Sequence, residues 1–321
     1  MFVPLDTFPH SPVLLRETLD GLNLRTGCRY IDGTVGAGGH SYAILQKTSP
    51  DGKLLGLDVD PKALEIAQAR LKPFGERIQL VLSNFSSLAE IALQADFLPV
   101  AGVLLDLGVS SMQLDEPERG FSFRQDGPLD MRLGEVQGEL TAAIIVNEWP
   151  EETLAKVFFE LGEEPQSRKF ARAIVGAREK NRINSTAQLA GILEKASGGK
   201  AYGRQKKPIH SATRVFQALR MTVNRELDKL AEGLEGALEV LEPGGRMAII
   251  SFHSLEDRLV KNFIRNAASD RLLLPDTPVY LAQPKTPTLR PVTKKPIIAS
   301  LQEQAENRRS RSAKLRVAEK L

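Results

Sequence analysis

The chain has 321 residues, enough for one large domain or two ordinary ones, and its 42% hydrophobic and 26% charged residues exclude a disordered or collagen-like polymer. No apolar run approaches the roughly 18 residues of a membrane-spanning helix. The one cysteine, Cys28, cannot form an internal disulfide and no charged-then-apolar leader is visible, so a cytoplasmic location without membrane contact is expected. The net charge of +3 is unevenly spread: Ala196 to Arg225 carries seven basic and no acidic residues, and Lys285 to Leu321 carries another +7, leaving −11 for the remainder. Two basic zones on an acidic body fit a polyanionic partner such as RNA, the plainer alternative being solvated surface.

In chain order, five short apolar runs read as buried parallel strands: Arg29 to Asp32, Leu54 to Asp58, Ile78 to Ser83, Gly102 to Leu107 and Arg246 to Phe252. Helical patterns separate them. Asp60-Pro61 pairs an N-cap with proline at the first helical position, and Leu64, Ala67 and Leu71 follow on one face. The interval from about Val109 to Ala212 is too long for one crossover. It contains helix-like pieces at Pro150 to Leu161 and Ser167 to Arg178, and a third opened by the capping box Ser185 to Gln188. An apolar stripe then runs without a break from Leu219 through Leu227 and Leu234 to Leu241, before Pro243-Gly244-Gly245. The tail after Pro275 is expected to add edge strands and then a basic helix from Ile298 onward. This alternation specifies a doubly wound α/β sheet with an inserted helical domain. The expected divisions are 1–108 for the first part of the sheet domain, 109–212 for the insert and 213–321 for the second part.

The first strand ends in Asp32 and empties into Gly33-Thr-Val-Gly-Ala-Gly-Gly-His40, a turn whose glycines let backbone N–H groups approach a nucleotide-like ligand. Asp58 ends the second strand, where a carboxylate reaches ribose hydroxyls, and Asp106 ends the fourth at the carboxyl edge where open α/β sheets bind ligands. A glycine-rich turn alone is weak, since nicotinamide, flavin and S-adenosylmethionine enzymes all use one. Two features discriminate. The dinucleotide fingerprint wants glycine where Ser41 stands, and Asp32 would repel a pyrophosphate but attract the ammonium and sulfonium of S-adenosylmethionine. The methyl donor is favoured, with a nicotinamide oxidoreductase and a non-catalytic RNA-binding assembly factor as rivals. His10, His40, His210 and His253 are scattered with no i,i+4 pair, so no metal site is expected.

Longer motifs carry a more specific likeness: His10 to Leu15, Tyr30 to Ser41, Leu104 to Ser111, Glu118 to Phe123, Asp126 to Arg132, Ala212 to Arg220 and Ile249 to Arg258. In these the chain resembles the bacterial 16S rRNA (cytosine-N4)-methyltransferases of the MraW/RsmH type along nearly its whole length. That resemblance implies a class I (Rossmann-like) S-adenosylmethionine-dependent methyltransferase sheet with an inserted helical domain, acting on a cytidine of 16S ribosomal RNA within the small subunit. A homodimer is left open. The implied cofactor contacts fall on Gly38, Gly39, His40, Asp58, Phe85, Asp106 and Gln113, beside the acidic Asp32. Ser110, His253 and Arg214 are candidates for binding the RNA substrate, and no residue is assigned as the catalytic group. Phe85 has a core reading beside its adenine reading, Gln113 a solvated one, and His253 a helix-capping one. An aromatic to stack on the base is sought among Phe121, Phe123 and Phe252. The tail reads Asn307-Arg308-Arg309 where the family usually has Asn-Pro-Arg.

Overall fold

The computed structural model describes residues 12–134, 140–198, 210–272 and 283–321. Its contacts divide the chain into two units, one of 1–108 with 227–321 and one of 109–226.

The first unit is a sheet covered on both faces. It begins with α1 (Leu15–Leu22), β1 (Arg29–Asp32), α2 (Gly39–Lys47), β2 (Lys53–Asp58), α3 (Pro61–Leu71), β3 (Ile78–Leu82), α4 (Leu88–Gln94) and β4 (Val100–Asp106). Strands and crossing helices alternate, and every pairing among β1 to β4 is parallel. Because side chains alternate along a strand, Tyr30 and Leu104 pack with α1, α2 and α3 on one face. Ile31, Val103 and Leu105 pack with α4 on the other. The expected cap is present: the Asp60 carboxylate accepts the Lys62 N–H at 3.1 Å.

The second unit is helical: α5 (Ser111–Asp115), α6 (Ala142–Glu148), α7 (Glu151–Glu160), α8 (Ser167–Arg178), α9 (Thr186–Ser197) and α10 (Thr213–Asn224). Its core is its own, with Phe158, Phe170, Ile174, Leu189 and Leu219 all fully buried. Ser185 and Gln188 form the expected capping box at the start of α9. Four lysines and arginines of the first basic zone, Lys200, Arg204, Lys206 and Lys207, lie outside the described residues.

Three expectations are corrected. The unbroken stripe from Leu219 to Leu241 is two helices, α10 and α11 (Glu226–Val240), divided at Arg225, which adopts left-handed backbone at φ 50° and ends α10. The reason is that the stripe serves two cores: Leu219 packs in the insert, while Leu230 and Leu234 pack under the sheet. For the same reason the chain leaves the insert after Glu226, not at 212. The fifth strand, β5 (Leu241–Ser251), starts earlier than expected and stops before Phe252. It is followed by α12 (Ser254–Ala267), the paired strands β6 (Arg271–Leu272) and β7 (Gln283–Pro284), then β8 (Leu289–Pro291) and β9 (Ile297–Ile298).

The tail is the third correction, since the expected basic helix from Ile298 is only the short α13 (Leu301–Glu306), and Lys314–Lys320 forms a further strand, β10. β10 sits inside the sheet, whose order is β3-β2-β1-β4-β5-β10-β8, antiparallel to β5. Alternation explains it: Leu315 and Val317 face one core and Ala318 the other. Arg316 is tied down by Asp257 of α12, its Nε 2.7 Å from Oδ1, while Lys314 Nζ lies 3.1 Å from Oδ2. No helix among the described residues is long and apolar enough to cross a membrane.

Removing the Asp257 carboxylate strands the largely buried Arg316 guanidinium. Asp257→Ala is expected to destabilise the protein by about 3 kcal/mol in urea unfolding, whereas a solvated ion pair would cost under about 1 kcal/mol.

Candidate active site

Parallel strands deliver their carboxyl ends to one edge, and three of them end in aspartate. Asp32 pairs across to Gly56 of β2 and Leu104 of β4, so Asp58 and Asp106 each lie two residues beyond its neighbours on either side. The glycine turn is stitched between them. Gly33 N–H donates to Leu104 O and Val35 N–H to Leu57 O, each at about 3 Å. Gly36 adopts φ +52° with open space where a Cβ would point, and its N–H donates to Asp58 Oδ2 at 2.7 Å. Gly38 caps α2 in left-handed backbone, and a Cβ on Gly39 would stand 2.5 Å from Pro12 Cγ. Left-handed backbone therefore favours glycine at 36 and 38, and close packing by Pro12 favours it at 39.

The three carboxylates are held differently. Asp32 is 1% exposed, and its oxygens accept from Thr34 N at 3.1 Å and from the Ser41 hydroxyl at 2.6 Å. Burial nevertheless pushes its carboxyl up to about 6. Asp58 accepts Gly36 N–H on Oδ2 and Asp60 N–H on Oδ1, and burial raises it too. Asp106 has the least support. Its Oδ1 is buried with no hydrogen-bond partner among the described residues. Burial pushes it up to about 8, the Asp32 charge adds to the rise and Glu256 adds less, while the Arg309 guanidinium pulls the other way.

His40 completes the edge. It is 6% exposed, and burial lowers it to about 4, so the ring is neutral at ordinary pH. Its Nε2 stands 3.0 Å from Val13 O, which can only accept, so Nε2 carries the proton. The bare Nδ1 then looks toward Asp106 Oδ2 at 3.7 Å. With the ring uncharged this is not an ion pair. Once Asp106 is ionised two acceptors face each other, and such an arrangement suits a ligand that brings donors or positive charge.

The remaining candidates in the sheet unit are Phe85 and His253. Phe85 follows β3, and its ring edge lies where a Cβ on Gly233 of α11 would stand, which gives it a packing role on that side. His253 caps α12, with Nδ1 accepting Glu256 N–H at 3.4 Å and Nε2 3.2 Å from Glu256 Oε1. Phe252 packs by Gly108 at the end of β4.

In the insert, Ser110 and Gln113 satisfy each other. Gln113 Oε1 accepts Ser110 N–H at 3.0 Å, and Ser110 Oγ accepts Gln113 N–H at 3.2 Å, opening α5. Arg214 Nη1 donates to Glu163 O at 3.1 Å, and Arg220 grips Glu226 with two hydrogen bonds. Phe121 is buried in the insert core, and Phe123 meets Phe216 edge-on at 4.9 Å, so both have structural work there. Sequence reasoning missed Thr34 and Ser41 as ligands of Asp32, Val13 as the partner of His40, and Arg309 as the cation acting on Asp106. All four lay within stretches already singled out, but nothing in those stretches gives the contact each makes.

Asp106 carries a cost that pH reveals. Its folded value near 8 lies above the usual 3.8, so the folded chain holds this proton longer than the unfolded one, and stability is lost as pH rises between them. Asp106→Asn is expected to raise the melting temperature of the ligand-free protein at pH 8.5 by at least about 2 °C. The gain should vanish toward pH 4 in scanning calorimetry.

Residues 7–321 match the MraW methylase family. The chain is 50% identical over 314 residues to ribosomal RNA small subunit methyltransferase H of Carboxydothermus hydrogenoformans, covering 98% of each. It is equally identical over 314 residues to the protein of that name from Symbiobacterium thermophilum, covering 98% of this chain and 97% of the relative. For the Thermomicrobium roseum protein the identity is 48% over 318 residues, covering 99% and 95%. The likeness runs through the sheet, the insert and the returning tail alike, and the chain belongs to the MraW methylase family.

Proposed function

We propose that this protein transfers the methyl group of S-adenosylmethionine to the exocyclic N4 of a cytidine in 16S RNA of the small ribosomal subunit, in the cytoplasm. The observation that carries the reading is the acceptor-lined edge of Asp58, His40 and Asp106 in a chain that matches a methylase family over residues 7–321. The relatives' name, ribosomal RNA small subunit methyltransferase H, supports the RNA and the subunit.

The residues fit the donor. The Asp58 carboxylate accepts backbone N–H groups of Gly36, Val59 and Asp60, and its oxygens have a further lone pair for a ribose hydroxyl. Asp106 Oδ1 and the bare His40 Nδ1 are acceptors suited to the ammonium of the methionine part. Asp32 has both oxygens committed to Thr34 and Ser41, so it acts by holding the turn rigid. Gly38 and Gly39 bring backbone close to the ligand, and Phe85 flanks the adenine. A dinucleotide pyrophosphate would instead meet an array of acceptors and negative charge.

Bound there, S-adenosylmethionine supplies an electrophilic methyl for in-line displacement. Cytosine N4 is a poor nucleophile because its lone pair is delocalised into the ring, so catalysis rests on orienting that lone pair; positioning of this kind supplies about 7 to 11 kcal/mol. No strong base is required, since the alkylated nitrogen becomes acidic and loses its proton to water. Ser110, Arg214 and His253 are the residues assigned to the RNA, which must present an unstacked cytidine.

Binding should be linked to a proton. A cation favours ionised Asp106, whose ligand-free value lies near 8, so affinity for S-adenosylmethionine is expected to rise from pH 6 to 8, by up to about ten-fold per pH unit, and level off above. Calorimetry at pH 7 in buffers of different ionisation enthalpy should register nearly one proton released. A pH-independent affinity would remove Asp106 from the cofactor site.

Small ribosomal subunits from cells lacking the enzyme should take up labelled methyl at one cytidine, located by mass mapping of nucleosides. Labelling of protein or lipid instead would overturn the substrate. Asp58→Ala should weaken cofactor binding about ten-fold or more, the equivalent of one charge-assisted hydrogen bond.

A further inference from the structure

His40 is placed by two segments that the sequence separates widely. Its Nε2–H donates to Val13 O at 3.0 Å. The next residue, Leu14, is fully buried yet adopts left-handed backbone, φ 51° and ψ 36°, which a leucine takes up only under constraint. The constraint is visible: Leu14 N–H donates to Glu303 Oε1 of α13 at 2.8 Å, across 289 positions of sequence. Glu303 is itself fixed, because its own N–H donates to Ser300 Oγ at 3.1 Å. Pro12, one residue before Val13, packs on Gly39 of the glycine turn.

We propose that Glu303 is a positioning residue for the methyl-transfer site, acting through the Leu14 turn and the Val13 carbonyl to hold His40 with its proton on Nε2 and a bare Nδ1 toward Asp106. The proposal rests on the reading above in one respect, that His40 borders the cofactor. Its physical content is a proton location. If Leu14 relaxes out of left-handed backbone, the Val13 carbonyl rotates away from the ring and Nε2–H loses its acceptor. Above about pH 8, where Asp106 is ionised, Nδ1 then becomes the better place for the proton, since Asp106 Oδ2 lies 3.7 Å from it. The edge facing the ligand would change from an acceptor to a donor, without any change in the residues that form it. The groups that act on the ring all belong to this geometry: Val13 O, Asp106 and the Arg70 guanidinium.

Glu303→Ala removes the acceptor, whereas Glu303→Gln keeps a carbonyl oxygen at the same place. In long-range proton–nitrogen spectra of the ligand-free protein above about pH 8, with His40 assigned by comparison with His40→Gln, the parent and Glu303→Gln should show a single Nε2–H form. Glu303→Ala should show a mixture containing the Nδ1–H form. KM for S-adenosylmethionine should rise about five-fold in Glu303→Ala with kcat within about two-fold, the loss expected for one net hydrogen bond. Glu303→Gln should restore it. An unchanged His40 pattern in a folded Glu303→Ala protein would overturn the relay. A changed pattern with unchanged KM would establish the relay and overturn the placement of His40 beside the cofactor, so the two failures are distinguishable.

Discussion

Everything at the carboxyl edge follows from the crowding of three carboxylates on adjacent parallel strands. Parallel pairing in the order β2-β1-β4 gives them no choice of edge, and each strand ends in aspartate. Burial raises these carboxyls, and the neighbouring negative charge raises them further. The fold relieves two of them with backbone N–H groups and hydroxyls, and leaves the third short of a partner. On the proposed reading, a cationic ligand would finish the electrostatics of this edge, and the stability given up at Asp106 would be recovered as affinity.

The second layer of the site comes from remote sequence. β10 runs antiparallel beside β5, so its start at Lys314 lies against Ser251 at the carboxyl end of that strand. The turn before it therefore reaches the same edge as the aspartates, which is how Arg309 comes to oppose the rise of Asp106. Asp257 anchors the strand through Lys314 and Arg316. On the way, α13 offers Glu303 to Leu14. Residues 12–14 and the segment 301–316 thus act on the carboxyl edge of the sheet, and neither contains the glycine turn or the aspartates.

The parts legible in the sequence are those set by local rules. The first strand is found at the residues expected, the α8 helix likewise, and the caps at Asp60 and Ser185 have the partners their spacing specifies. Each depends on residues within a few positions. The break at Arg225 was hidden because a hydrophobic stripe reports which face is buried and is silent on which core buries it. The tail strand was hidden by its charges: Arg316 and Lys314 read as solvated until the Asp257 carboxylate is found to receive them. The same holds for the site. Asp32, Asp58 and Asp106 announce themselves at strand ends, but that Asp32 spends its oxygens on Thr34 and Ser41, and that His40 answers to Val13, are facts of three-dimensional contact.

The division of labour among the acidic groups bears on why the site uses an unprotonated imidazole at all. A fourth carboxylate in place of His40 would add a charge that burial and Asp106 both oppose, and the edge would hold a proton more tightly before the ligand bound. A protonated histidine would turn away the cation. A neutral ring with its proton committed to Val13 O presents a lone pair at no cost in charge, provided that the proton stays where it is. The buried, left-handed Leu14 is the backbone expense of that provision, and it is sustained because two widely separated segments are hydrogen-bonded into one frame around the glycine turn.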